Sequence, residues 1–494
     1  MLGGITMKDL FRKDIETLQE KLQQFEAKEI DLKTYKGISG GFGTYPQRNG
    51  LYMLRLRTPG GKITKKQMDF LADSILNHNI ERYKITTCQT IQMHDLTSNQ
   101  VIERMIKAMD SDIYTRGGGG NCTRNVMATP LSGVQPNNTL DVQPYAKAVS
   151  DYLLTKAKQL HLPRKLKIAF ENNVLNETHA TFRDLGFIVQ GETFDVYCAG
   201  GLGPNPKLGV CVIKGLPKED VLCAVDAMIL LFTRYGNYQN RAKSRTRYFQ
   251  DQFSCDELQA LFQALLEEAK LTSPKLHLEC ASKPSTLLFH YHPKGGYLSS
   301  TTILTIYEMM KTNPEMEIRL SPEGSFYLVH ITAEELQQLQ QLSDGAQNDF
   351  EKSVCCVGGT RCTTGIRDSQ ALLTDIFHEL NLMDTTYLPK LHISGCPSSC
   401  ATHQSAMLGL QGGVKVIDKK PVPAYRIVYK GISLFTKEQL AQESEFMPEK
   451  TIPTFLKELA NILNKAQLPF ATWIQTNEET FIQLIQQYAN IIID

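Results

Sequence analysis

Two cysteine-containing segments are the most distinctive feature of this sequence: Cys355-Cys356-Val357-Gly358-Gly359-Thr360-Arg361-Cys362 and, further on, Gly395-Cys396-Pro397-Ser398-Ser399-Cys400. Thiolates grouped in this way are soft ligands, which favour zinc or an iron–sulfur cluster over calcium or magnesium. Zinc sites usually repeat a CxxC spacing, and neither stretch has it. We therefore predict a cluster whose metal ligands are the two pairs Cys356 and Cys362, and Cys396 and Cys400.

Two points about this ligand set stay open in the sequence. Cys355 could replace Cys356, since the first pair would then be spaced by six residues instead of five. His392 and His403 flank the second pair, but four cysteines already complete a cubane, so we interpret both histidines as structural or as hydrogen-bonding neighbours.

Composition limits the partners and the compartment. With 42% apolar residues, 21% charged residues and a formal net charge of +1, the chain resembles ordinary globular proteins, and we expect no nucleic-acid partner. Twelve cysteines are few for a disulfide scaffold of this length, which favours a reducing compartment. The N-terminus lacks an apolar signal run and no stretch is long enough to span a bilayer, so we expect a cytoplasmic protein without a membrane partner.

The first quarter of the chain predicts a helix followed by a strand–helix–strand module. Apolar residues recur at helical spacing over 8–30, which predicts a helix packed on the body. Tyr52–Arg57 alternates apolar and polar residues, so Arg55 and Arg57 project from one face of a strand. A double-glycine turn, a helix over Lys65–Asn77 and one strand over Tyr83–His94 follow.

The same layout returns at a constant offset. Leu288–Gly296 repeats the first strand and its double-glycine turn, and Met316–Thr332 repeats Glu81–Thr97. Leu162–Lys167 is echoed by Leu388–His392. The sequence therefore predicts an internally duplicated α+β fold of about three domains, with mixed or antiparallel sheets, flanking helices and pseudo-two-fold related halves.

Basic residues are concentrated in the first half. Arg116–Asn125 is a glycine-rich loop with an arginine near each end, which suits a carboxylate or oxyanion and lacks both the Walker and the GxGxxG pattern. Lys165 and Lys167 share a face of a strand predicted over Lys165–Phe170. The Arg241–Arg247 run lacks interleaved aromatic residues, so we interpret it as a wall for a polyanionic cofactor.

These motifs resemble the sirohaem-dependent sulfite and nitrite reductases, from about Thr34 to the C-terminus. The resemblance rests on the two cysteine spacings, the Gly-Cys-Pro-x-x-Cys form of the second and the duplicated halves. It implies a 4Fe-4S cluster on the four cysteines and sirohaem, with Cys400 also binding the haem iron. It further implies substrate-binding (catalytic) positions at Arg55, Arg124, Lys165 and Lys167, and cofactor contacts at Arg57, Lys84, Gln92, Arg164 and Arg245.

The resemblance also implies a division of the chain. It comprises an N-terminal helical extension (1–48), a first ferredoxin-like half-domain (49–110), a first sirohaem-binding domain (111–275), a second ferredoxin-like half-domain (276–345) and a 4Fe-4S/sirohaem domain (346–494). One residue departs from the pattern, because Cys88 stands where the family usually has arginine.

The implied activity is six-electron reduction of sulfite to sulfide. Sulfite-reducing members tend to carry Lys-x-Lys, as at Lys165 and Lys167, whereas plant-type nitrite reductases have asparagine at the second position. No flavin or nicotinamide motif is present, so the electrons should come from ferredoxin or another donor protein. The alternatives are a ferredoxin-dependent nitrite reductase with the same cofactors and a non-catalytic scaffold that binds metal or anions.

Overall fold

The computed structural model describes residues 7–135, 140–279 and 282–491. Within these ranges the helices are α1 (Met7–Glu26), α2 (Leu32–Ser39), α3 (Lys65–Leu76), α4 (Ser98–Asp110), α5 (Gln143–Thr155), α6 (Val221–Tyr235), α7 (Cys255–Lys270), α8 (Ser300–Thr312), α9 (Ala333–Leu339), α10 (Ser369–Glu379), α11 (Ile452–Ala466), α12 (Phe470–Trp473) and α13 (Glu478–Ala489).

Strands alternate with these helices along the chain. They are β1 (Thr44–Pro46), β2 (Tyr52–Arg57), β3 (Lys62–Ile63), β4 (Arg82–Ile85), β5 (Thr90–Leu96), β6 (Thr123–Ala128), β7 (Leu166–Glu171), β8 (Leu185–Gln190), β9 (Thr193–Cys198), β10 (Val210–Pro217), β11 (Leu288–Tyr291), β12 (Tyr297–Leu298), β13 (Glu317–Leu320), β14 (Phe326–Val329), β15 (Val354–Cys355), β16 (Leu391–Ser394), β17 (Leu408–Ile417), β18 (Lys420–Tyr429) and β19 (Gln442–Pro448).

The chain forms two units, and the predicted α+β class is confirmed. The first unit comprises the chain up to Gly201 together with Lys207–Tyr291 and Tyr297–Leu342. The second comprises Leu202–Pro206, His292–Gly296 and the chain from Ser343 onward. The five-part division stays a prediction, because this two-unit partition does not test its boundaries.

The duplication is visible in the two small sheets of the first unit. One has the strand order β1-β2-β5-β4-β12, and the other has β11-β14-β13-β3. Each module lends a two-residue strand to the other, because β3 pairs with β13 and β12 pairs with β4, both antiparallel. This exchange joins the two half-modules around one apolar core, to which α1 adds Phe11, Leu18 and Leu22. The predicted N-terminal helix is thereby confirmed, with a shorter span.

The two larger sheets repeat one topology. In the first unit the order is β6-β7-β8-β9-β10, with β6, β7 and β8 parallel and the following pairs antiparallel. In the second unit β15-β16-β17-β18-β19 has the same pattern, parallel and then antiparallel. Each sheet has its own apolar core, so each larger module buries its own apolar surface.

Two strand predictions need correction. Tyr83–His94 is an antiparallel hairpin, β4 and β5, and Gln89 in its turn has a left-handed φ of 50°. Polar and apolar residues alternate on both sides of the turn, which concealed it in the sequence. The strand predicted to start at Lys165 starts at Leu166 and ends at Glu171. No described helix combines the length and apolarity that crossing a membrane requires.

Candidate active site

The glycine-rich loop before β6 is held by arginines from β2 and by its own arginine. Arg55 Nη1 donates to the Gly118 carbonyl at 2.6 Å, and Arg124 Nη2 donates to the Gly120 carbonyl at 2.8 Å. A Cβ on Gly119 would collide with the Gly40 carbonyl, so this close approach requires glycine. Burial and the neighbouring Arg55 lower the pKa of Arg124 to about 10. Both arginines predicted to hold substrate therefore share one loop.

Arg57 supports this loop from the protein interior. Its side chain is buried and donates to the Arg116 carbonyl at 2.8 Å and to the Ser150 hydroxyl at 3.1 Å. Burial lowers the pKa of Arg57 to about 10. Arg57 is a predicted cofactor contact, and in the structure its guanidinium group also fixes the loop that carries Arg124.

Three predicted residues form a row across the first small sheet. Arg55 on β2 lies opposite Gln92 on β5, and Gln92 lies opposite Lys84 on β4. Residues directly opposite each other in antiparallel strands share a face. Lys84 is buried, with its ammonium group 4.6 Å from the centre of the Tyr297 ring. The row thus aligns two cations and one amide.

Asp184 is a functional candidate that the sequence did not reveal. It is fully buried before β8, and its carboxylate accepts hydrogen bonds from the Lys167 backbone at 2.8 Å, from Arg245 Nη2 at 2.9 Å and from the Thr246 hydroxyl. It thus joins two of the predicted site residues. A single aspartate between two strands has no motif, so only the fold identifies it.

Arg164 and Lys165 lie at the entry to β7. Arg164 Nη1 donates to the Asn121 side chain at 3.3 Å, and burial together with Arg241 and Arg245 lowers the pKa of Arg164. Lys165 is half-buried and immediately precedes the strand. Arg164 is therefore linked to the glycine-rich loop and lies in a crowded group of cations.

The thiol of Cys88 lies among these cations. Its backbone N–H donates to the Thr86 hydroxyl at 3.3 Å, and the Asn125 side chain donates to the Cys88 carbonyl at 3.0 Å, which fixes the turn. Burial alone would raise the pKa of the thiol, but Lys167, Arg183 and Arg55 lower it to about 6, and Lys167 also hydrogen-bonds to it. The surrounding cations therefore favour the thiolate form of Cys88.

The lowered pKa of the Cys88 thiol predicts how its alkylation rate depends on pH. In the cofactor-free protein, alkylation of Cys88 by iodoacetamide should rise through about pH 6 and then level off, because the thiolate is the nucleophile. A folded-state pKa below the ordinary value also means that the thiolate's contribution to stability is lost as the pH falls through about 6. Peptide mass spectrometry against exposed Cys255 as an internal control measures the profile, and a rate still rising above pH 8 would contradict it.

The four cysteines predicted to bind the cluster lie around the Gly395–Cys400 loop of the second unit. The Gly395 N–H donates to Cys356 Sγ at 3.2 Å, and the Cys396 thiol interacts electrostatically with Cys400 and Cys362. The Ile366 and Arg367 N–H groups donate to the Gly395 carbonyl at 3.0 and 2.8 Å, which ties the two cysteine loops together.

The structure bears on two questions that the sequence left open: whether Cys355 or Cys356 is the ligand, and what His392 and His403 do. Cys355 is buried in the apolar core and its thiol donates to the Ser369 carbonyl at 3.1 Å, whereas Cys356 accepts the Gly395 N–H. His392 Nδ1 lies 2.8 Å from the Ala401 carbonyl. Burial lowers the pKa of His403 to about 3, so this ring is neutral. This arrangement favours Cys356 over Cys355 as a ligand and structural roles for the histidines.

The donor set fits a cluster better than a single ion. Among the described residues no three histidine, cysteine or acidic side chains converge as one metal ion would need. In a cubane each thiolate binds a different iron, so its ligands surround the group without meeting at one point. Hydrogen bonds to sulfur, such as the one from Gly395, are a feature of such sites.

The basic region fits a ligand with several carboxylates. Among the described residues of this region, buried guanidinium nitrogens without a hydrogen-bond partner include Arg57 Nε, Arg116 Nε, Arg183 Nη2 and Arg245 Nε. Burial and Arg245 lower the pKa of Arg247 to about 10. Buried cations that crowd each other need anionic partners, and the carboxylate rim of sirohaem would supply them.

Comparison with protein-family models gives two matches. A model described as "Nitrite and sulphite reductase 4Fe-4S domain" matches residues 119–270, and one described as "Nitrite/Sulfite reductase ferredoxin-like half domain" matches residues 45–108. Both lie in the basic half of the chain, so the paired cysteines are an independent observation.

Curated relatives and a solved structure agree with these matches. The sulfite reductase (NADPH) hemoprotein beta-component of Staphylococcus haemolyticus is 23% identical over 431 residues and covers 73% of each chain. The ferredoxin–nitrite reductase of Synechococcus elongatus is 25% identical over 408 residues, covering 74% of this chain and 77% of that protein. The structure of the Mycobacterium tuberculosis NirA protein has a TM-score of 0.79 at 20% identity, covers 97% of both chains, and shows the fold.

Proposed function

The chain belongs to the nitrite and sulfite reductase family, and from that premise we propose that it reduces sulfite to sulfide at sirohaem coupled to a 4Fe-4S cluster. The observation that carries the proposal is the convergence of cations on the Cys88 turn. Arg55, Lys167 and Arg183 act on the Cys88 thiol, and Arg124 interacts with the same group. Such a cluster suits a small, doubly charged oxyanion.

The proposed roles follow from the chemistry of each side chain. When bound, the cluster and the sirohaem would transfer electrons from the donor protein and supply the iron to which the oxyanion binds. Arg55 and Arg124 would hold the oxyanion with planar, always-charged donors fixed by the glycine-rich loop. Lys165 and Lys167 would donate protons as oxygen leaves as water. Cys356, Cys362, Cys396 and Cys400 would hold the cluster, and Cys400 would also bind the haem iron.

The remaining cofactor contacts serve the carboxylate rim in this proposal. We assign this role to Arg57, Lys84, Gln92, Arg164 and Arg245. Arg245 is anchored by Asp184, and Arg164 is anchored by Asn121. Anchored cations favour binding because little side-chain entropy is lost when the ligand arrives.

Ferredoxin is the electron donor that we propose. Two curated relatives carry ferredoxin in their names, the Synechococcus enzyme and sulfite reductase (ferredoxin) 1 of Mycolicibacterium paratuberculosis, which is 22% identical over 394 residues. The sequence has no flavin or nicotinamide motif of its own. A cytoplasmic location stays a prediction from cysteine usage.

Nitrite is the second candidate substrate, because the Synechococcus relative is named as a nitrite reductase.

Anaerobic purification tests the proposal. The purified protein is characterised by its absorption spectrum, by iron and sulfide counts, and by assays of both anions with reduced methyl viologen. We expect sirohaem bands and sulfite turnover. Absence of sirohaem bands would refute the proposed function, and far more efficient nitrite turnover would refute the substrate choice.

Lys167→Asn tests the choice of sulfite. The substitution should lower kcat/KM for sulfite by about tenfold more than for nitrite, since it removes one charged hydrogen-bond donor from the more highly charged anion. Steady-state assays of both substrates on one preparation measure the ratio. Lys214→Asn, at an exposed position of β10 in the same sheet, is the matched control. Equal losses for both anions would remove the reason for choosing sulfite.

A further inference from the structure

Arg183 is a buried cation that neither motif nor repeat pointed to. It lies between a short turn, Ala180–Phe182, and β8, with 5% of its surface exposed. Its Nε donates to the Thr178 carbonyl at 2.8 Å, which fixes the plane of the guanidinium group. Over the described ranges, its Nη2 has no hydrogen-bond partner. Buried polar groups in folded proteins usually have a hydrogen-bond partner, so this N–H group is available to a ligand.

The charged groups around Arg183 indicate where such a ligand would bind. The charged groups that act on Arg183 are Cys88, Asp184 and Arg245. The Asp184 carboxylate accepts hydrogen bonds from the Lys167 N–H, Arg245 and Thr246, and these bonds leave Arg183 Nη2 without a partner among the described residues. Arg183 therefore interacts electrostatically with the Cys88 thiol, and its Nη2 is still available to donate a hydrogen bond.

Cys88 is the position where the resembling family usually has arginine. The turn that carries it is fixed by Asn125, whose side chain donates to the Cys88 and Gln89 carbonyls at 3.0 Å. A guanidinium group is thus missing from one side of the site, while Arg183 brings one from the neighbouring module. The two residues are far apart in sequence but act on each other in the fold.

We propose that Arg183 is an anion-binding residue of this site and supplies the guanidinium group that the turn lacks at Cys88. Its Nη2 would donate to an oxygen of a carboxylate or of an oxyanion, which present the same acceptor geometry. The source of that oxygen is either a carboxylate of the sirohaem or the substrate. The inference rests on the proposed function in assigning these two sources.

Arg183→Gln distinguishes the two sources, with Arg234→Gln, at an exposed position near the end of α6, as control. If the ligand is a cofactor carboxylate, sirohaem per chain should fall by about tenfold, with KM for sulfite unchanged in the loaded fraction. If the ligand is the oxyanion, sirohaem content should be normal and KM should rise by about tenfold. Either result supports the proposal, whereas normal sirohaem content together with normal KM overturns it.

Two further variants separate binding from folding. Arg183→Lys keeps the positive charge and should retain more sirohaem, or a lower KM, than Arg183→Gln at the same melting temperature. Cys88→Arg introduced into the Arg183→Gln chain returns a guanidinium group to the turn and should restore the lost property. If both variants match Arg183→Gln in binding, the proposal is wrong.

Failure of the proposed function can be distinguished from failure of the Arg183 proposal. Wild-type protein purified without sirohaem bands would refute that function alone. Calorimetry of the cofactor-free chain with citrate, a probe that carries several carboxylates, then decides the role of Arg183. Binding by wild type that weakens by about tenfold in Arg183→Gln supports it, and equal binding or none in both chains overturns it.

Discussion

Cys400→Ser is expected to yield a chain with neither sirohaem bands nor a complete iron–sulfur cluster. In the proposed arrangement this one thiolate would bind both a cluster iron and the haem iron, so its loss would affect both groups. A serine hydroxyl is a hard, neutral ligand and a poor replacement for a soft thiolate. The absorption spectrum together with iron and sulfide counts per chain measures the outcome.

Two cysteine variants serve as controls for this result. Cys255→Ser changes an exposed thiol at the start of α7 and should leave both groups in place. Cys355→Ala changes the thiol that donates to Ser369 inside the apolar core, and it should retain the cluster at some cost in stability. A Cys400→Ser protein with normal haem and cluster would show that the shared-ligand role belongs elsewhere. A cluster lost in Cys355→Ala would favour the alternative cysteine register.

The fold was predictable where a periodic pattern or a repeat carried the information. The offset between Glu81–Thr97 and Met316–Thr332 predicted two copies of one module, and the structure has β4, β5, β13 and β14 there. The exchange of β3 and β12 was not predictable, since strands of two residues have no periodicity and pair with segments far away in sequence. The β4–β5 hairpin was not predicted either, because the alternation of polar and apolar residues continues on both sides of its turn at Cys88.

The candidate site also contains residues that a local motif predicts and residues that only the fold identifies. Cysteine spacing and the glycine-rich loop are local, so Cys356, Cys400 and Arg124 could be named as candidates from the sequence. Asp184 and Arg183 could not, because their significance comes from contacts with Lys167 and Cys88 that only folding creates. The same holds for the role of Arg57 beneath the loop, since a strand pattern predicts the face of a side chain but not the groups that it meets.

Asp184→Asn is expected to destabilise the cofactor-free protein by about 3 kcal/mol or more, since breaking a buried ion pair leaves an uncompensated charge. The carboxylate is fully buried and accepts hydrogen bonds from Lys167, Arg245 and Thr246. An amide of the same shape would place an N–H group against one of these donors. A fall in melting temperature measured by circular dichroism tests the expectation.

Asp251→Asn is the matched control, because Asp251 pairs with Lys207 at 3.4 Å on the surface and exposed pairs contribute about 0 to 1 kcal/mol. Combining Asp184→Asn with Arg245→Met removes both charges and should recover part of the lost stability, since a buried pair replaced by apolar groups is often neutral. This recovery would assign the effect to the pair and not to packing. If Asp184→Asn melted like wild type, Asp184 would not be the group that holds Lys167 and Arg245 in place.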